Sequence, residues 1–201
     1  MARWAWGIGV VAWMGAVSAG FASVWSYASA PGVGTRAPAT WPEASRLRLA
    51  RDRATLLMFV HPRCPCSRAS LADLEGLLSR TRGLAAPVVV FVRPRGVEAG
   101  WERSELRRSA ERIPGAAVVD DDGGEEARRF GALTSGACLL YDAGGRLAFS
   151  GGITSVRGHE GKSFGEERIV ALLTGVAADR RDSPVFGCPL DDEPTTKESA
   201  P

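Results

Sequence analysis

The chain has 201 residues, and its 25 Lys and Arg residues against 23 Asp and Glu residues give a formal net charge of +2 at pH 7. This length suits one domain with accessory segments. The nearly balanced charge gives no general electrostatic reason to expect nucleic acid as a partner. The four cysteines are too widely scattered for the dense disulfide framework of a small secreted scaffold.

The first predicted element is an apolar helix. Residues from Trp4 to about Tyr27 carry no charge, and a run of about 20 such residues can span a bilayer. Arg3 precedes the run and tryptophans lie near both of its ends, which predicts an anchor whose following chain lies outside the cytoplasm. A cleaved signal peptide is the alternative, because Ala28-Ser29-Ala30 has the small-residue pattern of a cleavage site. We favour an uncleaved single-pass anchor over residues 1–28 in the inner membrane, with the domain on the periplasmic or extracytoplasmic side.

Composition divides the rest of the chain into three parts. Residues 29–45 are rich in Pro, Gly, Ala, Ser and Thr, which is typical of a linker. Residues 46–178 hold all the remaining predicted elements and form one predicted domain. Residues 179–201 are predicted to be a partly disordered tail, since the sequence from Asp191 onward is acidic and contains Pro and Thr.

Hydrophobic patterning within this domain predicts alternating strands and helices. Short apolar runs bounded by turn-forming residues predict five strands: Thr55–Val60, Pro87–Val92, Ala116–Val119, Ala137–Tyr141 and Arg146–Ser150. Apolar residues at spacings of three and four predict four helices: Ser67–Arg80, Glu98–Arg112, Glu125–Phe130 and Glu166–Leu173. The aspartates at 120–122 are assigned to a solvated turn rather than a cation site, because the EF-hand spacing is absent.

Two cysteines, Cys64 and Cys66, lie at the junction between the strand Thr55–Val60 and the helix that begins at Ser67. Unpaired N–H groups and the positive end of the helix dipole favour an anion at such a place. The pKa of a thiol there is expected to fall, and the thiolate is the reactive form. Arg63 adds positive charge beside them. The alternative is a pair of structural cysteines in a turn.

The order of these elements resembles the thioredoxin-like superfamily, and specifically its exported, membrane-tethered TlpA/ResA type. The resemblance covers about Thr55 to Gly175, and it includes the segments Val118–Leu133 and Cys138–Leu147. The string His61–Leu71 is also similar to the proteins called RedB. The resemblance implies an α/β fold with a central mixed sheet flanked by helices, behind an N-terminal transmembrane helix. It also implies a thiol–disulfide oxidoreductase that acts on protein thiols or disulfides and needs no cofactor.

Two features depart from the family pattern. The family active site is Cys-x-x-Cys, whereas this chain has Cys64-Pro65-Cys66, and Arg63 takes the place of the attacking cysteine. The family places a cis-proline opposite the dithiol, and that place falls here at Gly136, after Ser135. In the family that proline positions the substrate chain and keeps metals off the thiols. Substrate positioning and metal exclusion therefore stay open for this chain.

The first functional hypothesis is disulfide exchange with partner proteins outside the cytoplasm. Cys64 is expected to be the more exposed thiol and to attack, and Cys66 is expected to resolve the mixed disulfide. The small ring that a Cys64–Cys66 disulfide would close predicts a strained and easily reduced bond. The residues expected to support this dithiol are His61, Arg63, Pro65, Ser135 and Gly136.

Two hypotheses from other classes remain. Thiolates bind soft ions such as Cu(I), so the chain could be a copper carrier or sensor. Cys64 and Cys66 would then need a third ligand, for which the sequence offers His61, Cys138 or His159. The chain could also be a thioredoxin-like binding module that performs no catalysis.

The two remaining cysteines are distant from the dithiol in sequence. Cys138 lies in an apolar strand, where an inert buried cysteine is the alternative to a ligand. Cys188 lies in the late segment Phe186–Leu190. It could pair with Cys138, approach the dithiol as a third exchange partner, or be a free thiol.

Overall fold

The structure is a computed structural model that describes residues 2–98, 100–101, 103–176 and 181–190. The chain divides between residues 30 and 31 into two compact units. The predicted disorder from Asp191 onward lies outside the described residues.

The first unit is one long helix, α1, which spans Ala2–Ser29. Within it, Trp6–Ser29 is a run of 24 residues that contains an 18-residue window with a mean hydropathy of 1.6, and none of that window is buried. By length and composition this helix can cross a membrane, as the sequence predicted, although a signal sequence has the same properties.

The second unit is built on one five-stranded sheet with the strand order β3-β2-β1-β4-β5. Its strands are β1 Ala54–Val60, β2 Ala85–Arg93, β3 Ala117–Asp122, β4 Ala137–Tyr141 and β5 Leu147–Gly151. The first three strands are parallel, whereas β4 pairs antiparallel with β1 and β5 pairs antiparallel with β4. The helices that flank the sheet are α2 Ser67–Arg80, α3 Glu105–Glu111, α4 Glu125–Arg129 and α5 Phe164–Leu173. This is the thioredoxin-like α/β fold that the resemblance implied.

Strand β1 is central because both of its faces are buried. Successive side chains of a strand point to opposite faces of the sheet. Met58 and Val60 therefore join a core cluster that includes Leu74 of α2, while Leu57 and Phe59 join a second cluster on the other face. The continuous apolar run that predicted a buried strand follows from this double burial.

Helix α3 and strand β3 differ from the predictions. The predicted helix Glu98–Arg112 begins only at Glu105, because the Ser104 hydroxyl accepts a hydrogen bond from the Arg107 N–H and caps the helix there. Residues 99 and 102 of that predicted helix lie outside the described residues. The predicted solvated turn at 120–122 is wrong, since these residues belong to β3. Asp121 is buried, and its carboxylate accepts hydrogen bonds from the first turn of α4.

Residues on both sides of the predicted domain pack against the sheet. Trp41, in the segment assigned to a linker, contacts Phe130 and Tyr141 edge-on, with ring centroids 5.0 and 5.3 Å apart. From the segment assigned to the tail, Val185 and Leu190 are each only 2% exposed. We call residues 181–190 the C-terminal strap.

Candidate thiol site

The strand-to-helix junction that the sequence predicted is present. Strand β1 ends at Val60, and Cys66 is the N-cap residue of α2. The Cys64 N–H donates to the His61 carbonyl, and the Ser67 N–H donates to the Cys64 carbonyl, both at 3.1 Å. These turns hold both thiols at the N-terminal end of α2, where the helix dipole favours negative charge.

A third thiol, that of Cys188, completes the site. The Sγ atoms of Cys64 and Cys188 lie 3.0 Å apart. The Sγ atoms of Cys64, Cys66 and Cys188 all lie within 4.8 Å of one another. In the part of the chain that the structure describes, this is the one cluster of three or more His, Cys or acidic side chains that close together.

The C-terminal strap holds Cys188 through backbone hydrogen bonds to the loop before β4. The Ser135 N–H donates to the Cys188 carbonyl at 2.8 Å, and the Leu190 N–H donates to the Leu133 carbonyl at 3.0 Å. A β-carbon placed on Gly187 would lie 1.9 Å from the Ser135 carbonyl oxygen. Only glycine therefore allows the strap to approach this loop so closely.

The expected exposure of the two predicted catalytic thiols is wrong. Cys64 is only 1% exposed, whereas Cys66 is half-buried. The Cys64 side chain lies against Cys188 on the strap, so the strap covers the thiol that the sequence predicted to be the more accessible one.

The pKa values of the three thiols are pushed apart. Burial alone raises the pKa of Cys64, but hydrogen bonds from Cys188 and Ser67 outweigh it, so the pKa of Cys64 is lowered. Burial raises the pKa of Cys66, and the nearby Cys64 charge raises it further. Burial and the contact with Cys64 raise the pKa of Cys188 to about 12. In the reduced site Cys64 is therefore the thiol that ionises first, and Cys188 keeps its proton and donates it to the Cys64 thiolate.

A chain of hydroxyl groups supports the Cys64 thiolate. The His61 N–H donates to Ser135 Oγ at 2.8 Å, and the Ser135 and Ser67 hydroxyls are 2.7 Å apart. Because Ser67 donates to Cys64, the Ser135 hydroxyl must donate to Ser67. Ser135 was predicted as a supporting residue, whereas Ser67 was missed because a serine at a helix start usually indicates only capping.

The other predicted supporting residues lie at the same junction, beside Trp101 and the first turn of α2. The His61 ring lies edge-on to Trp101 at 5.2 Å, and its Nδ1 accepts the Arg63 N–H at 3.2 Å. The Arg63 guanidinium lies over the same indole, 4.8 Å from the ring centroid. The Pro65 carbonyl accepts the Arg68 N–H at 3.4 Å, within the first turn of the helix.

Gly136 occupies the place where the family has its proline. Its backbone has φ of 91°, a conformation that favours glycine, and its N–H donates to the Phe59 carbonyl at 2.8 Å. A β-carbon at Gly136 would lie 3.0 Å from Ser70 Oγ. The loop is thereby held against both β1 and α2, beside the thiols.

Cys138 is not part of the sulfur cluster. It is fully buried in β4, its Sγ donates to the Gly136 carbonyl at 3.6 Å, and burial raises its pKa. The structure brings Cys188 to Cys64 and Cys66, rather than Cys138, His61 or His159, which the sequence offered as a third ligand. Of the alternatives for Cys188, the structure shows its approach to the dithiol, since Cys188 lies beside Cys64.

Arg157 was missed by sequence reasoning. Its guanidinium donates to the Gly187 carbonyl of the strap. Its positive charge also offsets part of the rise in the pKa values of Cys66 and Cys188. It lies in a glycine-containing loop, where the sequence gives no periodicity that would place its side chain.

Two solved bacterial structures share the fold. An uncharacterised conserved protein from Geobacillus kaustophilus aligns with a TM-score of 0.59 and 19% identity, over 83% of this chain and 94% of that one. A hypothetical protein from Sinorhizobium meliloti aligns with a TM-score of 0.57 and 22% identity, over 81% of this chain and 96% of that one. No protein-family model and no curated protein matches the sequence. At such identities the likeness shows the fold alone.

Proposed function

We propose that the protein is a membrane-tethered thiol–disulfide oxidoreductase that exchanges disulfides with partner proteins outside the cytoplasm. The observation that carries this proposal is a thiol of lowered pKa, Cys64, at a helix N-terminus with a second thiol, Cys66, within 4.8 Å. The TlpA/ResA-type and RedB-like assignments are part of this proposal, since they rest on the motifs of the sequence.

The exchange transfers two electrons between the dithiol and a partner disulfide. The Cys64 thiolate attacks one sulfur of the partner, forms a mixed disulfide and releases the other partner sulfur as a thiolate. Cys66 then loses its proton and attacks the Cys64 sulfur, which releases the second partner thiolate and leaves a Cys64–Cys66 disulfide. The same steps in reverse oxidise a partner dithiol.

Exchange with oxidised glutathione by the full chain in detergent tests these roles. We expect Cys64→Ser to abolish the exchange. The double variant Cys66→Ser/Cys188→Ser should accumulate a glutathione adduct on Cys64, because no neighbouring thiol is left to resolve it. Cys138→Ser is the matched control and should exchange like the wild-type chain. Exchange that continues unchanged in both Cys64→Ser and Cys66→Ser would favour a binding module without catalysis.

Helix α1 would provide the tether. An arginine at the centre of a membrane helix costs about 2.5–3.5 kcal/mol of insertion free energy. We therefore expect Val17→Arg to move the chain from the membrane fraction to the soluble fraction, whereas Glu75→Arg on the exposed surface of α2 should not. Labelling of Cys66 in intact cells by a membrane-impermeant maleimide tests on which side the domain lies.

A Cu(I) carrier or sensor is the second candidate, and the cluster of three sulfurs favours it. Metal–sulfur bonds of about 2.3 Å in a trigonal site put sulfurs about 4 Å apart. The three sulfurs all lie within 4.8 Å of one another, and the Cys64 and Cys188 sulfurs, at 3.0 Å, would need to separate by about 1 Å. Cys64, Cys66 and Cys188 would bind the ion as thiolates. Competition of the reduced full chain with a Cu(I) chelator tests this. Tight binding that Cys188→Ser weakens and Cys138→Ser leaves unchanged would support it, and absence of stoichiometric binding would exclude it.

A further inference from the structure

The position of Cys188 carries an inference about how the site is controlled. We propose that Cys188 forms a disulfide with Cys64, and that this bond holds the C-terminal strap over the site until a dithiol partner reduces it. The inference rests on the proposed function, because it concerns access to the same Cys64.

The first support is the distance between the two sulfurs. A disulfide bond is about 2.05 Å long, so sulfurs 3.0 Å apart need to approach by only about 1 Å. The turn before α2 fixes the backbone at Cys64, and the hydrogen bond from Ser135 fixes the backbone at Cys188, so the two sulfurs are held in this contact.

The second support is the way in which the strap binds. It adds to the loop before β4 through backbone hydrogen bonds and an antiparallel bridge between Thr134 and Pro189. Extended peptides bind exposed sheet edges through main-chain hydrogen bonds of the same kind. The strap thus binds this loop as an extended peptide from a partner could, and it places the Cys188 sulfur beside Cys64.

The third support is the set of contacts that holds the strap beside Cys64. Gly187 has no side chain where one would collide with the Ser135 carbonyl, and Arg157 donates to the Gly187 carbonyl from the opposite loop. Val185 and Leu190 are buried on either side of Cys188. The strap therefore has two buried apolar side chains, a required glycine and a partly buried arginine contact, which together hold it in place.

Reduction of this bond is a two-step exchange. A partner thiolate attacks the half-buried Cys188 sulfur, and Cys64 leaves as a thiolate, which its lowered pKa favours. The second partner thiol then attacks the partner's own sulfur in the mixed disulfide, which releases Cys188. Two electrons pass from the partner dithiol to the protein, the partner becomes a disulfide, and both cysteines end reduced. The same steps in reverse, with a partner disulfide, close the bond.

Peptide mapping of the oxidised full chain tests the inference. After treatment with oxidised glutathione, free thiols are blocked and the chain is cut with trypsin, which cleaves after Arg63, Arg68, Arg181 and Lys197. We expect residues 64–68 to be linked to residues 182–197 in the wild-type, Cys66→Ser and Cys138→Ser chains. Cys188→Ser should lack that link. An internal Cys64–Cys66 disulfide with Cys188 alkylated in the wild-type chain would overturn the inference.

Exchange kinetics separate this inference from the proposed function. In a mixture of reduced and oxidised glutathione, the oxidised wild-type chain should show a lag in exchange, because thiol must first reduce the Cys64–Cys188 bond. Prior treatment with dithiothreitol should remove this lag, and Cys188→Ser should show no lag while retaining exchange. Equal lags in the two chains would overturn the inference and leave Cys64–Cys66 exchange intact. Loss of exchange in Cys188→Ser would also overturn it, because Cys188 would then be required rather than inhibitory. Exchange that persists in both Cys64→Ser and Cys66→Ser contradicts the proposed function instead.

Discussion

A single hydroxyl proton of Ser67 helps to decide the charge state of the candidate nucleophile. Ser67 is 1% exposed and donates to Cys64, while the Ser135 hydroxyl donates to Ser67 in turn. Hydrogen bonds to charged groups are worth about 1.5–3 kcal/mol, and one pKa unit corresponds to about 1.4 kcal/mol. The Ser67 bond therefore offsets part of the cost of burying the Cys64 thiolate.

Replacing Ser67 by alanine should raise the pKa of Cys64, because the hydroxyl that stabilises its thiolate is lost. The pH dependence of thiolate ultraviolet absorbance measures it in a Cys66→Ser background, since burial keeps Cys138 and Cys188 protonated in that range. Ser79→Ala, at an exposed position of the same helix, is the control. An identical titration in the two serine variants would exclude the Ser67 bond.

Asp73 gives a second prediction, on pH-dependent stability. One of its oxygens accepts the Gly161 N–H at 2.8 Å, and the other has no hydrogen-bond partner among the described residues. Burial and the nearby charges of Glu166 and Glu160 raise the pKa of Asp73 to about 6. The unfolded value is about 3.9. Asp73 therefore stabilises the fold fully below about pH 4, and this contribution is lost as the pH rises through about 6.

Replacing Asp73 by asparagine should remove this pH dependence and stabilise the chain at pH 7. We expect a gain of about 1 kcal/mol after allowance for solvent screening of the carboxylate. Urea denaturation at about pH 5 and pH 7 measures it, with the exposed Asp52→Asn as the control. A loss of stability at both pH values would show that the carboxylate is needed for its bond to Gly161 instead.

At the scale of elements, the position of the strap depends on the close approach of the Gly187 backbone to the Ser135 carbonyl. Gly187→Ala would put a β-carbon 1.9 Å from the Ser135 oxygen, so the strap must move while the sheet keeps its own contacts. We expect the Cys64–Cys188 link to form several-fold less, and amide hydrogen exchange to speed up in residues 182–190. Gly34→Ala, where the new atom meets nothing within 4 Å, is the matched control. Unchanged linkage in Gly187→Ala would show that this approach does not hold the strap.

The local hydrophobic pattern predicted the strands and helices whose formation depends on neighbouring residues in the sequence. Strand β4 and helix α2 both have the predicted bounds. A buried strand shows as a continuous apolar run, and an amphipathic helix shows as apolar residues at spacings of three and four, so each is visible in the local sequence. The predicted position of Cys66 at the helix start followed from these two elements. The strap was missed because its partners, Leu133 and Ser135, lie about 50 residues earlier, and no local periodicity records such a pairing.

At the scale of the whole molecule, the proposed bond between Cys64 and Cys188 would join positions 124 residues apart. A link of that span restricts the unfolded chain and typically stabilises a protein by about 2–4 kcal/mol. A Cys64–Cys66 bond closes too small a loop to do the same. The two disulfides should therefore differ in their effect on global stability.

The oxidised wild-type chain should unfold at higher urea than oxidised Cys188→Ser, whereas the two reduced chains should unfold alike. Tryptophan fluorescence during urea denaturation measures both states, and Cys138→Ser controls for the loss of a buried thiol. Equal midpoints for the two oxidised chains would contradict a bond between Cys64 and Cys188.

The distance along the chain between the strap and the helix-start thiols also sets an order of events during biosynthesis. Ribosomes add about 5–20 residues per second, so the codon for Cys188 is read about 6–25 s after that for Cys64. Throughout that interval the nascent polypeptide has only two of its three clustered sulfurs. A newly synthesised chain thus passes through a stage in which the strap cannot yet cover Cys64. A disulfide formed within the cluster at that stage joins Cys64 to Cys66.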